Sequence, residues 1–186
     1  MSNLGTLRPV EESEVEMMRL WRNAPAVRMY MYSTHEISRE EHLAWWDRIR
    51  ERTDCRYFIY EAGRQPLGVV GITQINQQNR NASWAFYAAP GAPRGTGSRM
   101  ELMALDYAFS ELHLNKLCCE VLATNQAVIS LHQKFGFKVE GVLREQHRTE
   151  NGFIDVYRFG ILKHEWANIR PSVLARLIKK QDGNHA

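Results

Sequence analysis

The segment at residues 89–98, APGAPRGTGS, constrains the fold of this chain more than any other feature. Two prolines and three glycines in ten residues prevent it from continuing a helix or a strand. A short strand is predicted directly before it, over residues 83–88, and a helix with an apolar stripe directly after it, to about residue 112. Because glycines let successive backbone amides point at one anion at the positive end of such a helix, we expect a phosphate-binding loop here.

This loop matches neither of two common phosphate-binding fingerprints. It lacks the third glycine of the dinucleotide-binding motif and the Gly-Lys-Ser/Thr ending of a P-loop. Many strand-to-helix loops carry two glycines for steric reasons alone, so the loop needs a second motif beside it before it indicates a function.

The rest of the chain alternates strands and helices, which predicts a mixed α+β protein. The other predicted strands cover residues 4–9, 57–61, 67–75, 116–122, 137–143 and 152–162. The other predicted helices cover residues 12–23, 38–52 and 125–135. Ser38 opens a capping box, and Gly136 ends the helix before it. We expect residues 1–186 to form a single domain, with a C-terminal tail at about 170–186 that begins as a short basic helix.

Composition excludes several classes of protein. With 186 residues, 44% hydrophobic and 24% charged, the chain resembles an ordinary globular protein with one core. No apolar run is long enough for a membrane span, and the acidic N-terminus is unlike a signal peptide. A net charge of +3 is too small to indicate nucleic acid as a partner. The three cysteines lack metal-ligand spacing, so a cytoplasmic protein without a metal is expected.

A second motif, NQAVISLHQKFGF at residues 125–137, follows the predicted strand at 116–122. With the glycine-rich loop, it resembles the GNAT (GCN5-related) N-acetyltransferase superfamily. The family's coenzyme A loop reads Gln/Arg-x-x-Gly-x-Gly/Ala; Gly95 and Gly97 match it, whereas Ala92 departs from it and Arg94 offers the cation instead. The later family pattern is matched at Asn125, Leu131, Lys134, Gly136 and Phe137. Two motifs in the right order and at the right separation make the resemblance specific, and it covers nearly the whole chain.

The resemblance implies a GNAT fold, which has a central, mostly antiparallel sheet, one splayed parallel strand pair and flanking helices. It also implies acetyl-CoA as co-substrate. The pantetheine arm would pair with the backbone of residues 84–88, where an amide serves as oxyanion donor, and the pyrophosphate would lie on the amides of residues 94–99. The expected acetyl-CoA-binding residues are Phe86, Ala88, Arg94, Gly95, Thr96, Gly97, Ser98, Arg99 and Asn125.

Catalysis is expected by direct attack of an amine on the thioester. Family members often place a tyrosine where this chain has His132, as the acid to the leaving thiolate, and an imidazole is able to replace it. The alternative is that His132 is a solvated histidine on a helix face. The family's glutamate base falls on Ser83, so base catalysis is expected through ordered water held by Ser83 or Tyr87. Neither Cys118 nor Cys119 has a partner histidine, so no covalent enzyme intermediate is expected.

The N-terminal third carries a distinctive block: WRNAPAVR at residues 21–28, MY at 31–32, and a helix bearing His42. It resembles acetyltransferases of pseudaminic acid biosynthesis, which acetylate the 4-amino group of UDP-4-amino-4,6-dideoxy-N-acetyl-β-L-altrosamine on a route to flagellin glycosylation. Arg28 and His42 are expected to hold phosphate, although the helix end and the first helical turn also explain them. The expected acceptor-binding residues are Trp21, Arg28, Met31, Tyr32, His42, Thr73 and Gln74.

Three other functions stay open. One is a protein N-terminal acetyltransferase of the ribosomal-protein type, and another is a non-catalytic acetyl-CoA-binding module. Polyamine acetylation is disfavoured, because a polycation needs a carboxylate-rich mouth and this region carries Arg22, Arg28, Arg39 and His42. An exposed edge strand and an apolar C-terminal segment are compatible with a homodimer.

Overall fold

The computed structural model describes residues 4–182, the last three as backbone only. The strands are β1 (Thr6–Pro9), β2 (Arg56–Ala62), β3 (Gln65–Asn76), β4 (Asn81–Ala88), β5 (Lys116–Leu122), β6 (Lys138–Thr149) and β7 (Gly152–Leu162). The helices are α1 (Val15–Asn23), α2 (Pro25–Arg28), α3 (Arg39–Arg50), α4 (Thr96–Asp106), α5 (Gln126–Lys134) and α6 (Lys163–Asp182). Most of these elements lie where the sequence predicts them.

The strands form one seven-stranded sheet in the order β1-β2-β3-β4-β5-β7-β6. Every neighbouring pair is antiparallel except β4 and β5, which are parallel. This confirms the expected α+β class and the mostly antiparallel sheet with one parallel pair.

The parallel pair holds together over only three positions. Residues 81–83 of β4 pair with residues 116–118 of β5, and the last pair is Ser83 with Cys118. Beyond it β4 continues to Ala88 and β5 to Leu122 without pairing to each other. The two strands therefore diverge into a fork, and the facing edge of β4 presents free backbone groups to which an extended ligand can add as a strand.

The two faces of the sheet are covered differently. Helices α4, α5 and α6 pack over the larger core, which includes Trp84 and packs against Phe86. Helices α1 and α3 cover a smaller cluster around Met18, against which Tyr87 packs. Since side chains alternate along a strand, the unpaired half of β4 sends Trp84 and Phe86 to one face and Tyr87 to the other.

Local signals explain several helix ends. The Ser38 side chain accepts from the Glu41 backbone amide and caps α3, and Asn125 caps α5 in the same way. Gly136 follows α5 with φ +88°, a conformation that glycine adopts without strain.

Three boundaries differ from the prediction. Pro25 does not simply end a helix: α1 ends at Asn23 and Pro25 opens the short α2, since proline is well suited to a first helical position. The C-terminal helix begins at Lys163 rather than near residue 170. It packs inward because Arg170 binds the Asp106 carboxylate at 2.7 Å. Strand β6 continues to Thr149, because bulges let it follow β7. The predicted end of the tail, at 183–186, lies outside the described residues.

Within residues 4–182, no helix is both long and apolar enough to cross a membrane. A groove of about 780 Å³ between β1, α4 and α6 lies away from the fork; in its lining, Trp166 and Arg170 both donate to the Asp106 carboxylate.

Candidate active site

Two cavities meet the unpaired half of β4. The first, which we call the α1–α3 cavity, measures about 360 Å³ and lies between the N-terminal helices and the sheet. Its lining residues are Met18, Arg22, Met31, Ser33, Ile37, Glu41, His42, Trp45, Arg48, Tyr57, Val69, Gly71, Thr73, Ala85, Phe86 and Tyr87. The second, the fork cavity, measures about 330 Å³ and is lined by Tyr32, Thr73, Gln74, Ser83, Trp84, Ala85, Cys118, Cys119, Glu120 and Arg158. Thr73 and Ala85 belong to both, so the cavities are adjacent at the fork.

Arg22 is the main charged group inside the α1–α3 cavity. One guanidinium nitrogen, Nη2, donates to the Ser33 carbonyl at 3.0 Å, whereas Nη1 is buried without a hydrogen-bond partner among the described residues. Burial lowers the pKa of the guanidinium, and the positive charge of Arg28 adds to the effect. A buried cationic donor without a partner is costly, so this atom is well placed to bind an anionic or acceptor group of a ligand.

His42 lies in the same cavity, stacked on Trp45 with ring centroids 4.9 Å apart. Its Nε2 is buried and has no hydrogen-bond partner within residues 4–182. Burial lowers the pKa of the imidazole, and the charges of Arg19 and Arg22 act in the same direction. The ring is therefore neutral near pH 7. It offers a ligand one hydrogen bond but no charge, and the expectation that it holds phosphate stays a prediction.

The fork cavity contains several of the predicted polar residues. Ser83 donates to Gln74 Oε1 at 3.0 Å, and Gln74 lies in a bulge of β3 with φ +53°. Tyr32 donates to Glu120 Oε2 at 2.7 Å and so links the segment after α2 to β5. Ser83 lies at the last β4–β5 pair, where water held by its hydroxyl would be close to the reacting groups.

Tyr87 also lines the α1–α3 cavity, but its hydroxyl is already used. It donates to the Met18 carbonyl at 3.3 Å, and burial raises the pKa of the phenol above its usual value. The phenol is therefore neutral at ordinary pH and acts as a donor rather than as a base.

The glycine-rich loop has the form expected of a pyrophosphate site. Gly95 lies just before α4 with φ +88°, which lets the chain turn sharply into the helix. The backbone amides of Gly97 and Ser98, in the first turn, find no backbone acceptor among the described residues. Arg99 Nε is buried without a partner, while Thr96 is held by its own bond to the Pro93 carbonyl. Two free amides and the Nε–H of Arg99, whose Nη2 donates to Thr96 Oγ1 at 3.5 Å, fit the phosphates of acetyl-CoA.

The remaining predicted acetyl-CoA-binding residues surround this loop. Phe86 lies on the unpaired part of β4 and comes within 3.4 Å of a Cβ built at Gly97, so the loop and the fork are in contact. Ala88 ends the same strand, and Arg94 is exposed on the loop. Asn125 uses its side-chain oxygen to cap α5 at 3.3 Å, which leaves its amide group for a ligand.

His132 is not a solvated histidine. It is 2% exposed, and its Nδ1 is hydrogen-bonded to Oε1 of Glu101 on α4 at 2.8 Å. Its ring lies beside Trp84 and Phe86, at centroid distances of 5.5 and 6.1 Å. The structure therefore removes the solvated alternative, and the role of His132 as an acid stays a prediction.

Two of the predicted acceptor-binding residues are not brought into either cavity. Trp21 packs against the apolar cluster around Met18, and Arg28 on α2 lines neither cavity, although its charge acts on Arg22. Met31, Tyr32, His42, Thr73 and Gln74 do line one cavity or the other.

Sequence reasoning did not assign several groups that the structure brings to the site. They are Arg22, Arg48, Glu101, Glu120 and Arg158. A usable signal existed for Glu101, because it is a carboxylate within the apolar run MELMAL of α4. Such a residue needs a buried partner. Arg22 belongs to the block that singled out Arg28, but the two residues lie on different helices, α1 and α2. Among the described residues, no cluster of three or more metal-ligating side chains is found.

Comparison with known proteins identifies the family. A family model described as "Acetyltransferase (GNAT) domain" matches residues 6–138. Spermidine N(1)-acetyltransferase of Escherichia coli (strain K12) is 27% identical over 162 residues, covering 86% of this chain and 87% of the relative. Acetyltransferase PseH of Campylobacter jejuni, strain 81-176, is 27% identical over 139 residues, covering 75% of this chain and 86% of the relative.

A solved structure agrees with these sequence relatives. The crystal structure of spermidine N-acetyltransferase from Vibrio cholerae in complex with CoA and spermine superposes with a TM-score of 0.81 at 26% identity. The match covers 87% of this chain and 97% of the other. Together with the fork and the glycine-rich loop, these similarities show that the chain belongs to the GNAT family and is an acetyl-CoA-dependent N-acetyltransferase.

Proposed function

We propose that this enzyme transfers the acetyl group of acetyl-CoA to the 4-amino group of a UDP-linked 4-amino-4,6-dideoxy sugar, as expected for an enzyme of pseudaminic acid biosynthesis. The observation that carries the proposal is the unpartnered, buried guanidinium nitrogen of Arg22 in the α1–α3 cavity. The diphosphate of a nucleotide sugar supplies the acceptor oxygens that this nitrogen lacks.

The charges around Arg22 support an anionic acceptor. Arg48 lines the same cavity, and the single carboxylate there, Glu41, is paired with His35 outside it at 3.0 Å. A polyamine in this cavity would lie beside two guanidinium groups and one carboxylate that is already bonded to His35, so like charges would oppose its binding.

The apolar lining supports the other parts of such a ligand. Trp45 and Tyr57 stand edge to face at 5.1 Å, and both line the cavity with Met31. These side chains offer flat and flexible apolar surface to a uracil ring and to the methyl group of a deoxysugar. His42 Nε2 adds one neutral hydrogen bond.

The acidity of the acceptor amine also agrees with the weak base expected at the fork, which is water held by Ser83. A ring amine beside electron-withdrawing substituents loses its proton more readily than a lysine or polyamine amine does. Ser83 with water is then sufficient where other family members use a glutamate. Glu120, the carboxylate in the fork cavity, is engaged by the Tyr32 hydroxyl and lies 3.7 Å from Arg158.

The relatives support two acceptors equally by identity. The acetyltransferase PseH is in keeping with the nucleotide-sugar proposal, since the N-terminal block resembles enzymes of that type, whereas the spermidine acetyltransferases favour a polyamine. The relatives named N-acetyltransferases favour an enzyme over a non-catalytic module. A homodimer also remains a proposal, supported by the exposed Val139, Val142 and Phe153 on the β6–β7 hairpin.

The test is thiol release from acetyl-CoA with three acceptors side by side: a UDP-4-amino-4,6-dideoxy sugar, spermidine and a ribosomal N-terminal peptide. We expect turnover with the nucleotide sugar. In Arg22→Met, the KM for that acceptor should rise roughly thirtyfold or more, because a charged hydrogen bond is worth about 2 kcal/mol or more. The KM for acetyl-CoA should stay unchanged.

Arg50→Met is the matched control, because Arg50 is an exposed arginine of α3 that pairs with Glu12 and Asp47 outside the cavity. It removes the same charge and should leave both KM values as they are. Turnover with spermidine alone, improved by Arg22→Met, would contradict the nucleotide-sugar proposal, and turnover with the peptide alone would contradict it as well.

A further inference from the structure

We propose that Glu101 is a positioning residue that holds His132 as the proton donor to the departing sulfur of coenzyme A. The inference rests on the family's acetyl transfer and on the predicted role of His132 in it, and not on the identity of the acceptor amine. Nothing in the motifs or the cavities assigns a role to Glu101.

The geometry of the pair is that of a fixed dyad. Glu101 Oε1 lies 2.8 Å from His132 Nδ1, and both side chains are nearly inaccessible, at 0% and 3% exposure. Glu101 is on α4, whose first turn forms the pyrophosphate loop, and His132 is on α5, which Asn125 caps. The hydrogen bond therefore ties the two helices that frame the coenzyme side of the fork.

Apolar rings surround the pair. The imidazole lies within 6.1 Å, centroid to centroid, of Trp84, Phe86, Phe137 and Phe159. The other titratable group close to Glu101 is Cys119 on β5, and burial raises the pKa of its thiol well above the ordinary value, so it stays neutral. No charge in these surroundings balances a net charge on the pair, so the pair as a unit is held near zero net charge.

With one proton held between Oε1 and Nδ1, zero net charge places a second hydrogen on Nε2. A neutral carboxyl beside a neutral imidazole and a carboxylate beside an imidazolium differ only in where the shared proton lies between Oε1 and Nδ1. In both forms Nε2 carries a hydrogen, whereas loss of one proton leaves a buried net charge of −1, which desolvation opposes. Burial raises the pKa of the Glu101 carboxyl, against the effect of His132, which agrees with retention of that proton.

The free ends of the dyad agree with this arrangement. Glu101 Oε2 is buried and makes no hydrogen bond to the described residues, a costly state for a full carboxylate. On the other side, the His132 ring lies beside Trp84 and Phe86 on the unpaired half of β4, and Nε2 is the ring nitrogen that the bond to Glu101 leaves available. The donor is thus available at the strand that borders the fork.

The step balances as follows. The amine nitrogen bonds to the thioester carbon, and the carbon–sulfur bond then breaks as the carbonyl re-forms. His132 gives the Nε2 proton to the sulfur, and the proton shared with Glu101 settles on Nδ1, which leaves a neutral imidazole beside a carboxylate. The excess proton of the attacking amine goes to solvent, and solvent returns one proton to the dyad.

The kinetic test is Glu101→Gln. A neutral amide keeps the hydrogen bond in either orientation but cannot pass a proton to Nδ1, so His132 can deliver its hydrogen only as an isolated imidazolium, which the apolar site disfavours. We expect kcat to fall roughly tenfold to a hundredfold, at or below the lower end of the effect of losing a general acid outright. We also expect the pH profile of kcat to differ from that of the unmodified enzyme, with the KM for acetyl-CoA unchanged.

Two comparisons separate this role from a structural one. Asp106→Asn on the same helix breaks a half-buried bond to Arg170 and should leave kcat and its pH profile as they are. In a His132→Phe background, Glu101→Gln should have no further effect on kcat, because Glu101 acts through the imidazole. Equal losses with and without His132, or a variant with the kcat and pH profile of the unmodified enzyme, would overturn the proposal.

A measurement on the unmodified protein needs no acceptor, and it needs a variant only to assign the signal. Nitrogen-15 NMR of labelled histidine, with His132 assigned through His132→Phe, reports which ring nitrogen carries hydrogen. We expect Nε2 of His132 to remain protonated at pH 7.5, and an unprotonated Nε2 would overturn the inference. The kinetic series uses whichever amine turns over, so failure of the nucleotide-sugar proposal leaves this test intact.

Discussion

Two histidines, His42 on α3 and His132 on α5, are buried among aromatic side chains on opposite faces of the sheet, and they differ in their hydrogen-bond partners. His42, on the α1–α3 side, stacks on Trp45 and has an unpartnered Nε2. His132, on the α4–α5 side, is bound through Nδ1 to Glu101. Burial is almost equal, at 5% and 2% exposure, so the carboxylate is what distinguishes them.

The comparison shows that the partner of a buried histidine, rather than its burial, decides its chemistry. Burial, with Arg19 and Arg22, lowers the pKa of His42 against the opposing effects of Glu16 and the Val15 backbone, so its neutral ring offers a ligand a single hydrogen bond. His132 is hydrogen-bonded to Glu101 and is proposed to donate a proton. One histidine should therefore affect binding of the acceptor, and the other the chemical step.

The largest effect should come from replacing each histidine by phenylalanine and separating kcat from KM. His132→Phe should lower kcat roughly a hundredfold with little change in the KM for acetyl-CoA, because a proton donor is lost in the transition state. His42→Phe should raise the KM for the acceptor about tenfold with a small change in kcat, because one neutral hydrogen bond is lost. Steady-state kinetics with both substrates varied measures the split.

Each variant is the control for the other, since both remove one buried imidazole. His132→Tyr adds a further check, because it restores a hydroxyl acid at the position where relatives often carry one, and it should recover part of the lost kcat. If both phenylalanine variants changed only KM, the assignment of chemistry to the α4–α5 face would be wrong.

A smaller effect should appear in the stability of the protein as the pH falls. The folded state lowers the pKa of His42, so between that value and the ordinary value of about 6.5 the unfolded chain binds more protons. His42 therefore costs no stability above about pH 6.5 and destabilises the fold as the pH falls below it. Urea unfolding at pH 7.5 and 5.5 should show a larger loss for the unmodified protein than for His42→Gln.

The two proteins share every other titrating group, so the difference between their losses isolates His42. Equal losses over the two pH values would mean that His42 titrates in the folded protein as it does in the unfolded chain, and the contrast with His132 would lose its electrostatic basis.

The smallest effect should come from loss of the hydrogen bond between Tyr32, which follows α2, and Glu120 on β5. Tyr32 donates to Glu120 at 2.7 Å across the fork cavity, where the groups are exposed, so Tyr32→Phe should cost less than about 1 kcal/mol of stability. The KM for the acceptor should rise by about two- to threefold, because the segment after α2 is held less firmly. Tyr30→Phe, on the same exposed segment, is the control and should change neither quantity.

The coenzyme side of the site could be predicted because its signals are local. Gly95 at the turn, Asn125 as a helix cap and Gly136 after the helix each act within a few residues, and their spacing is visible in the chain. The fork itself was expected only through the family resemblance. The fork begins where β4 and β5 part, after three paired positions. We attribute this starting point to the twist of the whole sheet.

The acceptor side could be predicted only in part, because helix phase and packing decide it. The N-terminal block directed attention to Arg28, but Pro25 opens a new short helix that carries Arg28, and Arg22 on α1 is the guanidinium of that block that lines the cavity. Trp21 was expected at the ligand and instead packs on the sheet. The sequence indicated which residue types belong to this region, but not the direction in which each side chain points.

The sequence by itself determined the α+β fold class, the glycine-rich loop before α4 and the positions of most strands and helices, because those features depend on short-range backbone preferences and on the period of apolar residues. Only the tertiary structure decided which buried polar groups meet. Glu101 and His132 are 31 residues apart, and their bond exists because α4 and α5 pack on the same face of the sheet. His42 lacks such a partner because α3 packs on the other face, where arginines rather than a free carboxylate surround it.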